Sequence, residues 1–458
     1  MNEKIFREYD IRGVAENDLN DSSVMQISLA FGTLAIRQNV KKIAIGRDCR
    51  LSSTRIFDVF SRGIRDLGID IIDLGIITTP ILYYALFNLD IDGGVMITAS
   101  HNPPEYNGFK AAIGKEVLSS DQIQELKNII LANDFCPVNK HGKLTKNNII
   151  DKYTEDLINN INIRKKIKVG VDCANTPVGL FARKVFEAVG CETFMLFETP
   201  DGTFPNHHPD PSVEKNLSSL KNLVISKKLD LGVSFDGDAD RIGIIDNQGK
   251  LIYSDIILAI LAKSILLNWP NSKIIGEVKC SKILFDEIKK NGGVPVMWKT
   301  GHSNIKRKIK EEKAPLAGEL SGHIFFSDKH HGYDDAIYAA LRFIEILSDN
   351  TKKLSVILDD IPKMFSTPEI RLDFPEDKKF QIINDLSDEL KKLNQEYSLI
   401  DIDGIRIEDS NSWGLVRASN TQPALSMRFE SNSEESLEKM KNLVLNLLEK
   451  VSGTRCKF

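Results

Sequence analysis

The stretch GVMITASHNPPEYNGFK, Gly94–Lys110, decides how the rest of the chain is read. Its apolar opening, Val95-Met96-Ile97, predicts the end of a buried strand. A polar turn follows, Thr98-Ala99-Ser100-His101-Asn102, and Pro103-Pro104 forbid a helix from starting at once. A serine delivered to the mouth of a parallel sheet, beside a histidine, is placed to act as a nucleophile. The plain alternative is a polar loop with an ordinary serine, and one short motif does not separate the two.

Working outward, strands and helices alternate. DSSVMQISLAFGTLAIRQ (21–38) has apolar positions at helical spacing, with Asp21 or Ser22 as cap. KKIAIG (41–46) predicts a strand, SSTRIFDVFSRGIRDLG (52–68) a helix and IDIIDLG (69–75) a strand, with a short helix before the quoted stretch. The segment 114–150 is more polar and ends in NKHGKLTKNN (139–148), which predicts a hairpin or surface loop, and a helix is expected near 150–160. The order recurs from KIKVGVDCA (166–174) to DLGVSFD (230–236), with RIGIIDNQGKLIYS (241–254) reading as a hairpin turned at Asn247–Gly249. It recurs again from a helix at 254–269 through KIIGEVK, SKILFDEIKKNG, VPVMW, SNIKRKIKEEK and PLAGEL to DDAIYAALRFIEIL. After Ser366 the order changes. PEIRLDF, SLIDIDGIRIED, WGLVRAS and ALSMRFE predict strands, and 376–395 and 433–450 predict helices, an antiparallel α+β pattern. The expected fold is α/β: three related domains with mixed sheets (1–149, 150–250, 251–365) plus a smaller C-terminal α+β domain (366–458).

Composition narrows the function. Net charge is −4, with no basic excess to offset a nucleic-acid backbone, so no nucleic-acid partner is expected. The cysteines (Cys49, Cys136, Cys173, Cys191, Cys280, Cys456) form no C-x-x-C pair, which argues against a disulfide framework or zinc site. MNEKIFREYDIRG lacks the apolar core of a signal peptide, and Ile256–Leu267, broken by Lys263, is too short to span a bilayer. A cytoplasmic chain with no membrane partner is expected.

Three more segments carry chemistry. In SFDGDADR, Asp236, Asp238 and Asp240 alternate, and an extended backbone would turn their carboxylates to one side. Oxygen-only ligands favour a hard cation such as Mg²⁺ over Zn²⁺. An EF-hand is excluded, because its sixth and twelfth positions fall on Arg241 and Asn247. GELSGH (318–323) has glycines that allow close backbone approach, with Glu319, Ser321 and His323 as polar groups. RASNTQP (417–423) offers the planar fork of Arg417, which suits a phosphate, beside Ser419, Asn420 and Thr421. The plain readings are an acidic turn, a core or surface histidine and a polar strand end.

TASHNPPEYNGFK resembles the phosphoserine loop of the α-D-phosphohexomutases, and DGDADR, GELSGH and RASNTQP resemble that family's other active-site loops, in its order. The resemblance runs from YDIRG (Tyr9–Gly13) over nearly the whole chain. It implies four domains around a central cleft. It also implies that Ser100 carries a phosphate and that a phosphate oxygen joins Asp236, Asp238 and Asp240 on Mg²⁺, steadied by Arg241. By the same resemblance Glu319 and Ser321 contact sugar hydroxyls. Arg417, Ser419, Asn420 and Thr421 hold the phosphate that is not reacting, and Tyr9, Arg12, Lys279 and His302 line the cleft. His323 and Lys110 are both candidates for proton transfer. Gln422 and Leu320 depart from common family residues. His207 and His208 are read as shaping a loop.

The expected activity is a phosphohexomutase acting on mannose and glucose phosphates through a hexose 1,6-bisphosphate, as a monomer or weak dimer. Phosphoglucosamine mutase is the alternative, since one amine changes few contacts. A phosphatase and a non-catalytic sugar-phosphate-binding protein are the other readings.

Overall fold

The structure is a computed structural model describing residues 1–137, 141–375, 377–393, 396–419 and 424–453. Its first sheet contains β1 (Ile11–Val14), β2 (Lys42–Arg47), β3 (Asp70–Ile76), β4 (Gly93–Ile97), β5 (Tyr106–Ile113), β6 (Glu116–Val117) and β7 (Leu144–Lys146). The order is β1-β5-β4-β2-β3-β7, with β6 on β5. The helices α1 (Asp21–Arg37), α2 (Ser53–Asp66), α3 (Thr79–Asn88) and α4 (Ser120–Leu131) cover it. Strand β4 is buried throughout, which is why its sequence is a continuous apolar run rather than an alternation.

The second sheet, β12-β11-β10-β8-β9, uses β8 (Lys168–Asp172), β9 (Glu192–Leu196), β10 (Leu231–Phe235), β11 (Ile242–Asp246) and β12 (Leu251–Ile252). Helix α5 (Ile150–Asn159) precedes β8, and α6 (Ala182–Ala188) and α7 (Ser218–Lys227) lie between the strands. The third, β14-β13-β15-β16, uses β13 (Lys273–Glu277), β14 (Val294–Trp298), β15 (Leu316–Gly318) and β16 (Ile324–Phe326). It is packed by α8 (Ser254–Asn268), α9 (Lys282–Lys290), α10 (His302–Glu312) and α11 (Ala336–Ser348), and α12 (Leu354–Asp359) follows.

One device repeats in these three sheets. Parallel strands form the centre, and the last of them is joined to an antiparallel neighbour by a functional loop. β4 runs into β5 through Ser100, β10 into β11 through the aspartates, and β15 into β16 through Glu319–His323. Each loop therefore leaves the carboxyl end of a parallel strand, where open α/β sheets place their sites. A single core joins the three units, from Leu82 and Met96 through Val171 and Phe235 to Leu258 and Phe326.

The fourth sheet is antiparallel: β17 (Phe365–Ser366), β22 (Ala424–Ser431), β21 (Ser412–Ala418), β20 (Ile405–Glu408) and β19 (Ser398–Ile400), with β18 (Ile370–Asp373) also on β22. Helices α13 (Lys379–Lys391) and α14 (Glu434–Ser452) pack on the sheet, with Leu386 and Met440 of the helices in one core with Met427 and Phe429 of the strands. The observed architecture is the expected one, three α/β units with mixed sheets and a smaller α+β unit around a cleft.

Local expectations needed correction. The polar segment 114–150 holds more than the terminal hairpin or surface loop its sequence predicts. It contains α4, whose Ser119 and Gln122 form a reciprocal capping box, and β7, an exposed edge strand parallel to β3. Its polarity reflects exposure rather than absence of structure. SLIDIDGIRIED is two strands, β19 and β20, because Gly404 turns the chain with φ +78° where a Cβ would lie 2.4 Å from the Val416 carbonyl oxygen. Among the described residues no helix is long and apolar enough to cross a membrane.

Candidate active site

The four loops open into one cleft of about 780 Å³, within the range of small-molecule sites. Tyr9, Arg12, Ser100, Lys110, Arg241, Lys279, His302, Glu319, Ser321, His323, Arg417 and Ser419 all line it. Asn420 and Thr421, with Gln422, lie outside the described residues.

Ser100 sits at the floor in the left-handed backbone region, φ +51°, an uncommon conformation for a residue with a side chain. Its N–H donates to Thr98 Oγ1 at 2.9 Å and its hydroxyl to Asp236 Oδ2 at 2.6 Å, with His101 Nδ1 3.1 Å from Oγ. The register supplies its neighbours. Met96 pairs with Lys110 across β4 and β5, and Gly108 pairs with Arg12 across β5 and β1, so both cations come alongside the Ser100 loop. Arg12 donates to the Ala99 carbonyl at 3.1 Å and to Asn102 Oδ1 at 2.5 Å.

The three aspartates meet by a different route from the one expected. β10 ends at Phe235, and the chain then turns, with Ala239 N–H returning to the Asp236 carbonyl and Ala239 at φ +61°. A turn, not strand alternation, gathers Asp236, Asp238 and Asp240, whose carboxylate oxygens lie within 4.8 Å of one another with no solvent exposure. Thr79 Oγ1 donates to Asp238 at 2.5 Å, and Lys110 Nζ reaches Asp238 at 2.6 Å and also Asp240. Among the described residues, Asp238 Oδ1 and Asp240 Oδ1 remain buried without a hydrogen-bond partner. Burial first, then repulsion from Asp240 and Asp238, pushes Asp236 well above the usual carboxylate range. Burial opposes the Lys110 ammonium, but Asp238 and Asp240 outweigh it and raise its pKa. Orphaned oxygens, clustered carboxylates and an all-oxygen donor set fit a hard divalent cation, as the sequence reading requires.

On the opposite side, Glu319 is buried, and its Oε1 accepts from Gly301 N–H at 2.6 Å. Burial raises its pKa. Gly322, φ +102°, lets the loop turn where a Cβ would lie 2.8 Å from the Ile242 carbonyl oxygen. His323 Nε2 accepts from Arg241 Nε at 3.0 Å, while Nδ1 lies 3.0 Å from Asp334 Oδ2. Arg241 thus links the aspartate loop to the Glu319–His323 loop. Tyr9 OH donates to the Thr300 carbonyl at 3.0 Å, and its ring meets His302 edge-on. Burial, then the Lys306 ammonium, holds His302 well below the usual histidine range. Lys279 lies 3.9 Å from Glu277 at the rim. Arg417 pairs with Asp403 at 3.2 Å, and its buried Nε has no partner among the described residues.

Sequence reasoning missed several supports. Asp334, Asp403, Glu277, Thr79 and Arg50 hold site residues in place, yet none stands in a recognisable motif. Buried carboxylates and a buried arginine look in sequence like surface charges. Only the counting of their acceptors and donors distinguishes them.

His207 closes its loop on the sheet: Nε2 lies 3.0 Å from Asp172 Oδ2, and Nδ1 is 2.9 Å from the His208 carbonyl.

A buried serine hydroxyl, clustered carboxylates suited to a metal beside it and the Arg417 guanidinium lining the same cleft are parts that phosphoryl transfer can use. The fold and site therefore define a phosphotransferase. The description "Phosphoglucomutase/phosphomannomutase, alpha/beta/alpha domain I" matches residues 3–136, domain II matches 151–249, domain III 253–365, and the C-terminal domain 369–447. The chain is 42% identical over 450 residues to a phosphomannomutase/phosphoglucomutase of Pseudomonas aeruginosa, covering 98% of this chain and 96% of the relative. It is 39% identical over 439 residues to a phosphoglucomutase of Neisseria gonorrhoeae, covering 96% and 95%. The crystal structure of a phosphoglucomutase/phosphomannomutase family protein from Burkholderia thailandensis matches with TM-score 0.94 at 35% identity, over 100% of this chain and 99% of that one. The chain belongs to the phosphoglucomutase/phosphomannomutase family, and it is an intramolecular phosphotransferase of hexose phosphates.

Proposed function

We propose that the chain is a Mg²⁺-dependent phosphohexomutase that interconverts the 1- and 6-phosphates of mannose and glucose through phospho-Ser100 and a hexose 1,6-bisphosphate. The observation that carries this reading is the meeting of Ser100 with Asp236, Asp238 and Asp240 on the floor of a cleft whose far side presents Arg417. O1 and O6 of one hexose are too far apart for direct transfer, so the serine carries the phosphoryl group between them. Phospho-Ser100 gives its phosphoryl group to the free sugar hydroxyl. The P–O bond to Ser100 breaks, the P–O bond to the sugar forms, and the hydroxyl proton leaves to the protein. The bisphosphate turns over in the cleft, and the other phosphate returns to Ser100.

Asp236, Asp238 and Asp240, with an oxygen of phosphorylated Ser100, would hold Mg²⁺, which when bound draws negative charge from the phosphate. Arg241 steadies that loop, and Arg12 holds the backbone beside Ser100. His323 and Lys110 are the groups in reach for the proton. Glu319 and Ser321 hold sugar hydroxyls, with Lys279, His302 and Tyr9 around them. Arg417, Ser419, Asn420 and Thr421 grip the phosphate that is not reacting. The working units are residues 1–149, 150–250, 251–365 and 366–458, one loop from each.

Phosphorus NMR tests the reading, using the protein with Mg²⁺, a trace of hexose 1,6-bisphosphate and mannose 1-phosphate. Conversion to the 6-phosphate with little free phosphate is expected. Accumulation of free phosphate identifies a phosphatase instead. Silence with mannose and glucose phosphates, but turnover of glucosamine 1-phosphate, reassigns the sugar.

A further inference from the structure

Beneath the Ser100 loop lies a charged group that the catalytic reading does not use. Arg50, in the turn before α2, has a side chain with no solvent exposure. Its guanidinium has five N–H donors, and all five are engaged. Nη2 donates to the carbonyls of Ser100 at 2.7 Å and Asn102 at 2.6 Å. Nη1 donates to those of Pro103 at 2.5 Å and Tyr106 at 3.1 Å. Nε donates to Asp48 Oδ2 at 3.1 Å. Four bonds therefore go to one loop, the loop that carries the nucleophile.

Asp48 ties the arrangement to the sheet. Its Oδ1 accepts from the Arg50 N–H at 3.0 Å and from Ser53 Oγ at 2.6 Å, and Ser53 Oγ accepts from Asn107 Nδ2 at 3.0 Å. Phe204, from the second unit, covers the guanidinium with its ring centroid 5.1 Å away.

The loop needs such a hold. The tandem prolines between Asn102 and Glu105 remove two backbone N–H donors, so little ladder bonding can form there. Ser100 also adopts the left-handed backbone region. Such a conformation persists only where surrounding contacts over-determine it. A planar fork reaches four carbonyls at fixed angles, whereas a lysine offers three donors from one point and cannot span them. With no donor left over, Arg50 has none to offer a substrate.

We propose that Arg50 is a positioning residue for phosphoryl transfer, holding Ser100 in its left-handed conformation by binding four carbonyls of the nucleophile loop. The inference rests on the mutase reading. It assigns the loss on removing Arg50 to the transfer step rather than to sugar-phosphate binding, which uses Glu319, Ser321 and Arg417.

The test compares wild type, Arg50→Lys and Asp48→Asn as full chains. Turnover of glucose 1-phosphate is measured with Mg²⁺ and the bisphosphate, binding of glucose 1-phosphate by calorimetry, and folding by circular dichroism and thermal unfolding. For folded Arg50→Lys, kcat is expected to fall about 100-fold while Kd stays within about threefold, since misplacing reacting atoms by about 1 Å costs that much in rate. Asp48→Asn places an amide N–H₂ against one of the donors it now accepts from, and a smaller loss of kcat with the same unchanged Kd is expected. Unchanged kcat in folded Arg50→Lys overturns the proposal, as does a parallel loss of kcat and affinity. If Arg50→Lys does not fold, Asp48→Asn decides by the same split. Inactivity of the wild type refutes the mutase reading itself, a result distinct from either outcome in the variants.

Discussion

Substituting Gly237 by alanine isolates how closely the nucleophile loop and the aspartate loop are fitted. A Cβ at residue 237 would stand 2.0 Å from the Ser100 carbonyl oxygen and 2.8 Å from its carbonyl carbon, against a practical minimum of 3.0 Å, so the contact must open by at least 1.0 Å. The obstacle is backbone, not a side-chain tip that can swing away. The Ser100 carbonyl is anchored by Arg50 Nη2 at 2.7 Å, and residue 237 is flanked by Asp236 and Asp238, which hold Ser100 Oγ and Thr79. Either Ser100 leaves its carboxylates or the carboxylates leave Ser100. A displacement of about 1 Å at reacting atoms costs about 100-fold in rate, and forcing a methyl into packed space costs about 1–3 kcal/mol of stability. Gly237→Ala should therefore lose about 100-fold in kcat, with a lower thermal midpoint and a Kd for glucose 1-phosphate close to wild type. Steady-state turnover with a coupled glucose 6-phosphate assay, beside calorimetry, reads both quantities. A folded Gly237→Ala protein with kcat within about threefold of wild type would refute the claim that the two loops are held at contact distance.

Three further outcomes are expected. Dialysis against a strong chelator should abolish turnover and added Mg²⁺ should restore it, because Asp238 Oδ1 and Asp240 Oδ1 have no partner among the described residues; full activity in the chelator would remove the metal from the mechanism. His323→Ala should lose about 10²- to 10⁴-fold in kcat with little change in KM if it moves the proton, whereas a loss confined to KM would assign that task elsewhere. Burial works against protonated His207, but the hydrogen bond to Asp172, the charge of Asp172 and the His208 carbonyl together outweigh burial and raise the folded pKa above the ordinary 6.5. A raised folded pKa gives stability that is complete below the unfolded value and lost as pH rises through the folded one. The stability difference between wild type and His207→Gln in urea unfolding should thus be larger at acidic pH than at alkaline pH, and a difference independent of pH would count against the ion pair.

Much of the architecture was legible because buried parallel strands impose continuous apolar runs, as in Val95-Met96-Ile97 and in β10, and helices impose a 3.6-residue rhythm. Where burial is slight that signal fades. The edge strand Leu144–Lys146 is exposed along its length and gives no apolar pattern to read. The aspartate trio was legible as a set of ligand-type residues, but not in its geometry. D-x-D-x-D suggested a strand, while the structure uses a turn with Ala239 in the left-handed region, because β10 ends at Phe235.

The sequence by itself determined which residue types the chemistry can use: a serine in a proline-bounded loop, three carboxylates suited to a hard cation, a glycine-bearing Glu-x-Ser-x-His and an arginine fork. Those are local properties, written in short stretches of neighbouring residues. The tertiary structure alone decided that they meet. Ser100 and Asp236 are 136 residues apart in the chain and 2.6 Å apart in space, and Lys110 reaches Asp238 across 128 residues. The same holds for the supports. Arg50 becomes a clamp only when the fold excludes water from its guanidinium and sets four carbonyls against it. A charge in sequence carries no record of its burial. Burial comes from the packing of elements far apart in the chain, and it makes each polar contact around Ser100 obligatory.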